Sequence, residues 1–212
     1  MTKSGAASRS KAYSTDRYNI LIMSIKNIVK RFLGMCYSRR YNIHAGRALY
    51  IGKDCKIINR GEIRCGDYTC LRPSTHIYLS QGAEVILGSN CEIGNHSVIS
   101  AVNRVEIGDG VLTAPNVYIA DHNHQYENIH SHIYTQGVRC NEGDRVEIGS
   151  GCWIGKNAVI VGNVRIGSNS VVGANSVVNK DVPDYCVVAG SPAVIIKRYD
   201  KVLGRWVKVT DR

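Results

Sequence analysis

The chain has 212 residues and a formal net charge of +10, with 44% hydrophobic and 21% charged residues. This composition is that of a globular protein and excludes a largely disordered one. Residues 1–50 hold ten basic residues and one acidic residue, residues 51–196 hold 11 and 14, and residues 197–212 hold six and two. A slightly acidic central part argues against a nucleic-acid-binding protein. The eight cysteines form no C-x-x-C pair, so we expect reduced thiols and a cytoplasmic protein.

The N-terminal segment divides into two parts. Residues 1–17 are small, polar and basic, which predicts a disordered tail. Residues 18–35 place apolar side chains at steps of three and four, which predicts an amphipathic helix, with a linker continuing to residue 48. Such a helix packs against the rest of the protein or a neighbouring subunit. Alternatively, residues 18–40, which include several Lys and Arg, lie peripherally on the anionic inner face of a membrane.

From residue 49 onward, aliphatic residues recur every six positions, a period that fits neither a helix nor a simple alternating strand. Six consecutive positions show this spacing: Ile148, Ile154, Ile160, Ile166, Val172 and Val178. The period is typical of a parallel β-helix, in which each hexad forms a strand and a turn and three hexads close one coil. We therefore predict an all-β domain of about six coils over residues 49–198, followed by a basic tail over residues 199–212.

The six-residue period is interrupted at residues 64–86, at residues 100–106 and between Ile119 and Val146. We interpret the first two interruptions as small insertions at corners of the coil. The third contains residues 120–145, which are polar, rich in His and unable to continue the coil. This segment is predicted to be a loop that projects from a rigid scaffold, a common location for functional residues.

Four stretches resemble the hexapeptide-repeat acyltransferases, in particular the maltose/galactoside and polysaccharide O-acetyltransferases. They are IGDGVLTAPNV (107–117), ADHNH (120–124), the W-I-G turn within 146–160, and residues 166–197 with their G-S-P-A exit. The resemblance implies a left-handed parallel β-helix and a homotrimer. It also implies acetyl-CoA as co-substrate, no metal, and O-acetylation of a saccharide acceptor such as a capsule, exopolysaccharide or O-antigen unit.

The expected reaction requires a general base, because an alcohol is a poor nucleophile near neutral pH. The resemblance implies that this base is His124, with His122 as the close alternative and Asp121 as the group that orients the imidazole. The residues that the resemblance implies for CoA binding are Trp153, Gly155, Lys156, Ala174, Asn179, Lys180 and Lys197. The candidates for contact with the acceptor are Asn95, His96 and Tyr126.

Three other functions remain open at this point. The loop contains His122, His124, His130 and His132, which could hold a metal as in the γ-class carbonic anhydrases of similar fold. The acceptor could instead be the amine of an amino sugar, which would make the protein an N-acetyltransferase. A non-catalytic β-helix that binds a sugar is the third alternative.

Overall fold

The computed structural model describes Phe32 and residues 36–209, which form a parallel β-helix with three faces. Face A consists of β1 (Ile43–Ala45), β4 (Glu62–Cys65), β7 (Glu84–Leu87), β10 (Arg104–Ile107), β15 (Arg145–Ile148) and β18 (Val164–Ile166). Face B consists of β2 (Tyr50–Ile51), β5 (Cys70–Leu71), β8 (Glu92–Ile93), β11 (Leu112–Thr113), β16 (Trp153–Ile154), β19 (Val171–Val172), β21 (Cys186–Gly190), β22 (Ala193–Asp200) and β23 (Arg205–Lys208). Face C consists of β3 (Lys56–Ile58), β6 (His76–Leu79), β9 (Val98–Ala101), β12 (Tyr118–Ala120), β17 (Val159–Val161) and β20 (Val177–Val178).

Each coil passes once through faces A, B and C, so the strands make six complete coils and begin a seventh. A separate antiparallel ribbon of β13 (Asn123–His124) and β14 (Val138–Arg139), with the short helix Ile133–Gln136 between its strands, projects after the fourth coil. The coil then resumes in register, because Arg104 of β10 pairs with Arg145 of β15. The predicted loop is therefore confirmed as an insertion that leaves the stacking of the coils intact.

The core is a single column of inward side chains, and the six hexad positions predicted to point inward are all buried. The largest fully buried side chains are nearly all isoleucines, stacked from coil to coil, as Ile119 stacks on Ile160 in the β12–β17 pair. The small residues two positions before each hexad position are buried as well, including Ser170 and Ser176. The all-β solenoid predicted from the repeat is thus the observed fold, with its hydrophobic stabilisation arising from contacts between successive coils.

The corner between faces B and C carries a column of asparagines in the left-handed conformation. Asn116, Asn157 and Asn175 have φ values of 62°, 58° and 58°. Asn tolerates this conformation better than other residues with a Cβ. Their side-chain amides also bond to one another, with Asn116 Nδ2 3.2 Å from Asn157 Oδ1 and Asn157 Nδ2 2.9 Å from Asn175 Oδ1. This ladder joins three coils at one corner.

Successive backbones also approach closely at this corner. A Cβ added at Gly155 would lie 2.6 Å from Ala174 N and 2.8 Å from Val172 O. Both of these are backbone atoms, which cannot rotate away as a flexible side chain would. Gly155 is therefore required by the spacing of the coils.

The structure departs from the sequence-based boundaries in three places. The first strand begins at Ile43, ahead of the predicted start at residue 49. Residues 64–86 and 100–106 continue the coil without the predicted insertions. The four-residue strands of faces A and C point two side chains inward, as Ile63 and Cys65 do in β4 and Ile99 and Ala101 do in β9, and so shift the phase by two. Within the predicted tail 199–212, β23 pairs antiparallel with β22.

The amphipathic helix predicted over residues 18–35 lies outside the described residues, apart from Phe32, which is helical and exposed. Residues 36–40 are also helical and lead into β1. Within the described part of the chain, no helix has the length and apolar character needed to cross a membrane.

The three faces present different side chains to solvent. Face A carries ion pairs, such as Arg104 Nη1 to Glu84 Oε2 at 2.8 Å. Faces B and C expose large apolar side chains instead, including Leu112 and Trp153 on face B and Tyr118 on face C. Exposed aromatic and aliphatic surface of this kind is typical of a protein contact.

Candidate active site

The inserted loop begins with a histidine held by a buried carboxylate. Asp121 follows β12 directly and is 1% exposed, while the side chain of His122 is 13% exposed. His122 Nδ1 lies 2.9 Å from Asp121 Oδ1. Because an ionised carboxylate only accepts hydrogen bonds, the contact favours the neutral tautomer in which Nδ1 carries the proton and Nε2 has the lone pair. This is the tautomer that a general base requires.

Asp121 is fixed by the preceding coil as well as by His122. Its carboxylate accepts hydrogen bonds from the backbone N–H groups of Val102, Asn103 and Arg104, at distances between 2.7 and 3.1 Å. Burial raises the pKa of Asp121, but the bond to His122 and these backbone donors outweigh it and hold that pKa below its ordinary value. Asp121 is therefore ionised near neutral pH and favours the protonated form of the His122 imidazole that arises during proton transfer.

His124, the base implied by the resemblance, is placed differently. It lies in β13, where it pairs with Val138, and its side chain is exposed. Its backbone N–H donates to Asn123 Oδ1, and no described carboxylate contacts its ring. The structure therefore brings Asp121 together with His122 and not with His124.

His122 faces a cleft of about 480 Å³ where face C turns into face A of the next coil, the C–A corner. Besides Asp121 and His122, the cleft is lined by Asn123, Arg139, Asn141, Asp144, Val161, Gly162, Asn163 and Asn179. Asn123, Arg139, Asn141 and Asp144 belong to the inserted loop, and Val161 to Asn163 form the corner one coil further along. The site is thus built where the loop leaves and rejoins the scaffold.

The residues implied for CoA binding are divided between two corners. Gly155 and Lys156 follow β16, and Ala174 lies in the same column one coil later, at the corner between faces B and C, the B–C corner. Trp153 lies on face B beside this corner and is 51% exposed. The structure does not bring this group to His122 within one chain, because the strands of face C separate the two corners.

The remaining implied CoA residues lie nearer the end of the coil. Asn179 follows β20 and lines the cleft with His122, and Lys180 is its exposed neighbour. Lys197 lies on β22, where it pairs with Val187 and Lys208. The structure brings Asn179 to the cleft and leaves Lys197 at the C-terminal end of face B.

The three residues proposed to contact the acceptor also lie at two different places in the structure. Asn95 and His96 lie at the B–C corner of the third coil, on the same column as Asn116. Tyr126 belongs to the inserted loop, where the guanidinium of Arg139 lies 5.9 Å from the centre of its ring. Only Tyr126 is therefore close to a residue that lines the His122 cleft.

Several residues of the site were not predicted from the sequence. Arg139, Asn141, Asp144 and Asn163 all line the cleft. Asn103, in the fourth coil, holds the end of the inserted loop by a hydrogen bond from its Nδ2 to the carbonyl oxygen of Asn141, at 2.7 Å. They could have been inferred from the repeat. A loop inserted between two stacked coils begins and ends at neighbouring positions of the scaffold, so the residues just before β15 are expected to lie near Asp121.

The histidines of the loop do not gather as metal ligands in the described chain. His130 and His132 lie near the short helix Ile133–Gln136 and are exposed, away from the Asp121–His122 pair at the loop base. No three His, Cys, Asp or Glu side chains among the described residues are grouped as a metal site would need. At the base of the loop, the described contact of His122 is the one between its Nδ1 and Asp121 Oδ1.

Comparisons with known proteins agree with this architecture. Residues 145–180 match the family model described as bacterial transferase hexapeptide (six repeats). WbbJ of Escherichia coli K12, whose name describes a lipopolysaccharide biosynthesis O-acetyl transferase, is 32% identical over 158 residues, which cover 73% of this chain and 81% of WbbJ.

Two solved structures share the fold. A maltose O-acetyltransferase from Clostridium difficile 630 is 26% identical with a TM-score of 0.52, covering 84% of this chain and 90% of its own. The hexapeptide-repeat acetyltransferase VCA0836 from Vibrio cholerae, in complex with acetyl-CoA, is 24% identical with a TM-score of 0.55, covering 88% and 85%. The repeat, the His-containing loop and the extent of the match to WbbJ lead to one conclusion: the chain belongs to the hexapeptide-repeat acyltransferases.

Proposed function

We propose that this protein transfers an acetyl group from acetyl-CoA to a hydroxyl group of a saccharide, with His122 as the general base. His122 Nε2 takes the proton of the sugar hydroxyl as its oxygen attacks the thioester carbonyl. The C–S bond then breaks and the imidazolium returns the proton to the sulfur, which releases CoA as the thiol and restores the neutral imidazole. The saccharide acceptor is supported by the name of WbbJ, and acetyl-CoA by the ligand of the Vibrio cholerae structure.

The observation that carries the proposal is the 2.9 Å contact between His122 Nδ1 and Asp121 Oδ1 at the edge of an open cleft. The contact fixes the tautomer of the imidazole and leaves Nε2 available to a substrate. The buried carboxylate accepts hydrogen bonds from four donors, so its burial leaves no polar atom unsatisfied and does not destabilise the fold in that way. A sugar-binding protein without catalysis would have no need of this pair.

We also propose that the active protein is a homotrimer in which the donor site of one subunit meets the base of another. The implied CoA residues Trp153 and Lys156 lie near the B–C corner, whereas His122 lies at the C–A corner, so one chain does not complete the site. The exposed Leu112, Trp153 and Tyr118 supply apolar surface for such a contact. Size measurement by light scattering tests the assembly, and a monomer with full activity would contradict it.

The test of the chemistry compares His122→Ala with His124→Ala. Thiol release from acetyl-CoA is measured across a panel of sugars and polysaccharide fragments. Loss of the general base predicts a fall in kcat of about 10²- to 10⁴-fold for His122→Ala. His124→Ala is the matched control from the same loop and should keep most of its turnover.

Calorimetric binding of CoA to both variants separates loss of catalysis from loss of the donor site. The expected result is similar CoA affinity in both. If His124→Ala loses turnover while His122→Ala keeps it, the base is His124, as the sequence resemblance implies.

A further inference from the structure

The cleft beside His122 is lined largely by carboxamides. Asn123, Asn141, Asn163 and Asn179 all contribute to its wall. Asn163 Oδ1 accepts a hydrogen bond from the backbone of Arg145, and its Nδ2 has no partner among the described residues. Asn179 has no described side-chain partner at all. Amides both donate and accept hydrogen bonds, as hydroxyl groups do, so this wall suits an uncharged surface rich in hydroxyls.

The charges of the cleft do not favour an anion. Two of the lining residues, Asp121 and Asp144, carry carboxylates, and Arg139 is the one cation among the described lining residues. Asp144 Oδ2 accepts bonds from Asn141, from both its backbone N–H and its side-chain amide, which holds that carboxylate beside the cleft. An acceptor that brings its own carboxylate therefore meets the like charge of Asp144, which is partly exposed, whereas the charge of Asp121 is buried and compensated by its hydrogen-bond donors.

Arg139 is already neutralised by its own loop. Its Nη1 lies 2.6 Å from Glu127 Oε1, and its guanidinium lies over the ring of Tyr126. A free guanidinium in this position would bind the carboxylate of an acidic sugar in a two-pronged contact. Glu127 contacts one nitrogen of this guanidinium, with both side chains about half exposed, and so weakens the attraction that Arg139 offers to an anion.

We propose that the acceptor presents an uncharged, hydroxyl-rich part of a saccharide to His122, and that Glu127 determines this specificity by pairing with Arg139. The inference rests on the proposed function and goes beyond it by naming the class of acceptor. Glu127 acts through Arg139 and is a specificity-determining residue, not a catalytic one.

The experiment measures kcat/KM for matched neutral and acidic acceptors with acetyl-CoA, such as oligomers of galactose against galacturonate and of glucose against glucuronate. The wild-type protein is expected to favour the neutral member of each pair. Glu127→Gln frees Arg139 and should raise the ratio of acidic to neutral kcat/KM about 1.5- to fivefold at low salt, the range of an exposed charge pair. The gain should shrink as ionic strength rises.

Glu142→Gln is the matched control. Glu142 is exposed in the same loop and does not line the cleft, so its replacement makes the same change in net charge without freeing Arg139. Its acidic-to-neutral ratio should equal that of the wild type.

Three results would count against the proposals in different ways. A wild-type preference for acidic acceptors overturns the specificity inference. An unchanged ratio in Glu127→Gln, or an equal rise in Glu142→Gln, removes the role of Glu127. If no acceptor of either class is acetylated, the proposed function itself fails, and the inference fails with it.

Discussion

Replacement of Asp121 by Asn tests how the site holds its base. The two carboxylate oxygens of Asp121 have different surroundings. Oδ2 accepts from the backbone N–H groups of Asn103 and Arg104 at 2.7 and 2.8 Å, whereas Oδ1 accepts from His122 Nδ1. The Val102 N–H is shared between them, 2.9 Å from Oδ1 and 3.1 Å from Oδ2. In Asp121→Asn, the amide oxygen is expected to take the Oδ2 position, where it meets two strong donors. The amide NH₂ then takes the Oδ1 position and faces His122.

This arrangement reverses the tautomer of the imidazole. An NH₂ group facing Nδ1 requires Nδ1 to accept, so the proton moves to Nε2. His122 then has no lone pair directed at the substrate and cannot act as a base. The loss of general-base catalysis predicts a fall in kcat of about 10²- to 10⁴-fold.

The same change affects stability to a smaller extent. The NH₂ group also faces the N–H of Val102, which then keeps only its longer contact, to the other oxygen. The loss of that bond and of the carboxylate charge should cost about 1–3 kcal/mol of unfolding free energy. Urea unfolding measures this cost, and thiol release from acetyl-CoA measures kcat and KM. KM for acetyl-CoA should change little, since Asp121 lies at the C–A corner, away from the implied CoA residues at the B–C corner.

Asp109→Asn provides the control, because Asp109 also supports a corner by accepting from a backbone N–H, that of Ser89 at 2.6 Å, but lies away from His122. It should lose stability without losing kcat. A folded Asp121→Asn protein with nearly wild-type kcat would refute the argument that Asp121 sets the tautomer of His122.

Two further predictions concern the scaffold and the thiols. Gly155→Ala should lower the free energy of unfolding by about 1–3 kcal/mol, because its Cβ would meet backbone atoms of the next coil; an unchanged urea midpoint would contradict this. Burial, with smaller contributions from Asp121 and Asp144, raises the pKa of the Cys140 thiol to about 11. At pH 8 iodoacetamide should therefore modify Cys140 much more slowly than the exposed Cys36. Peptide mapping measures both rates, and equal labelling would contradict the expectation.

The sequence contains most of the fold because the coil is a repeated local structure. The inward residue of each hexad can be found by counting six positions from the previous one. This spacing correctly assigns the six positions from Ile148 to Val178 to the core. At residues 64–86 the six-residue spacing is interrupted in the sequence although the coil continues, and the reason is local. Four-residue strands turn two side chains inward, and nothing in the letters EIRC distinguishes such a strand from one with a single inward residue.

The site was less accessible to sequence reasoning. In the segment D-H-N-H, His122 and His124 are two positions apart, so an extended chain would place both on the same side, and both are plausible bases. What separates them is the position of Asp121 beneath the backbone of residues 102–104, a contact across 17 to 19 positions that depends on how the coils stack. Homotrimer formation, cytoplasmic location and membrane contact through residues 18–40 remain predictions.

The register across the inserted loop has a consequence for how such proteins diversify. Residues 121–144 leave the fourth coil and return to the fifth, yet β10 pairs with β15 and β12 with β17 as though nothing intervened. The length of the insertion adds only a slowly growing closure entropy, and the ladders beneath it do not depend on its sequence. The part of this segment that follows His122 can therefore be exchanged during evolution, while Asp121, His122 and the pairing of the coils stay unchanged.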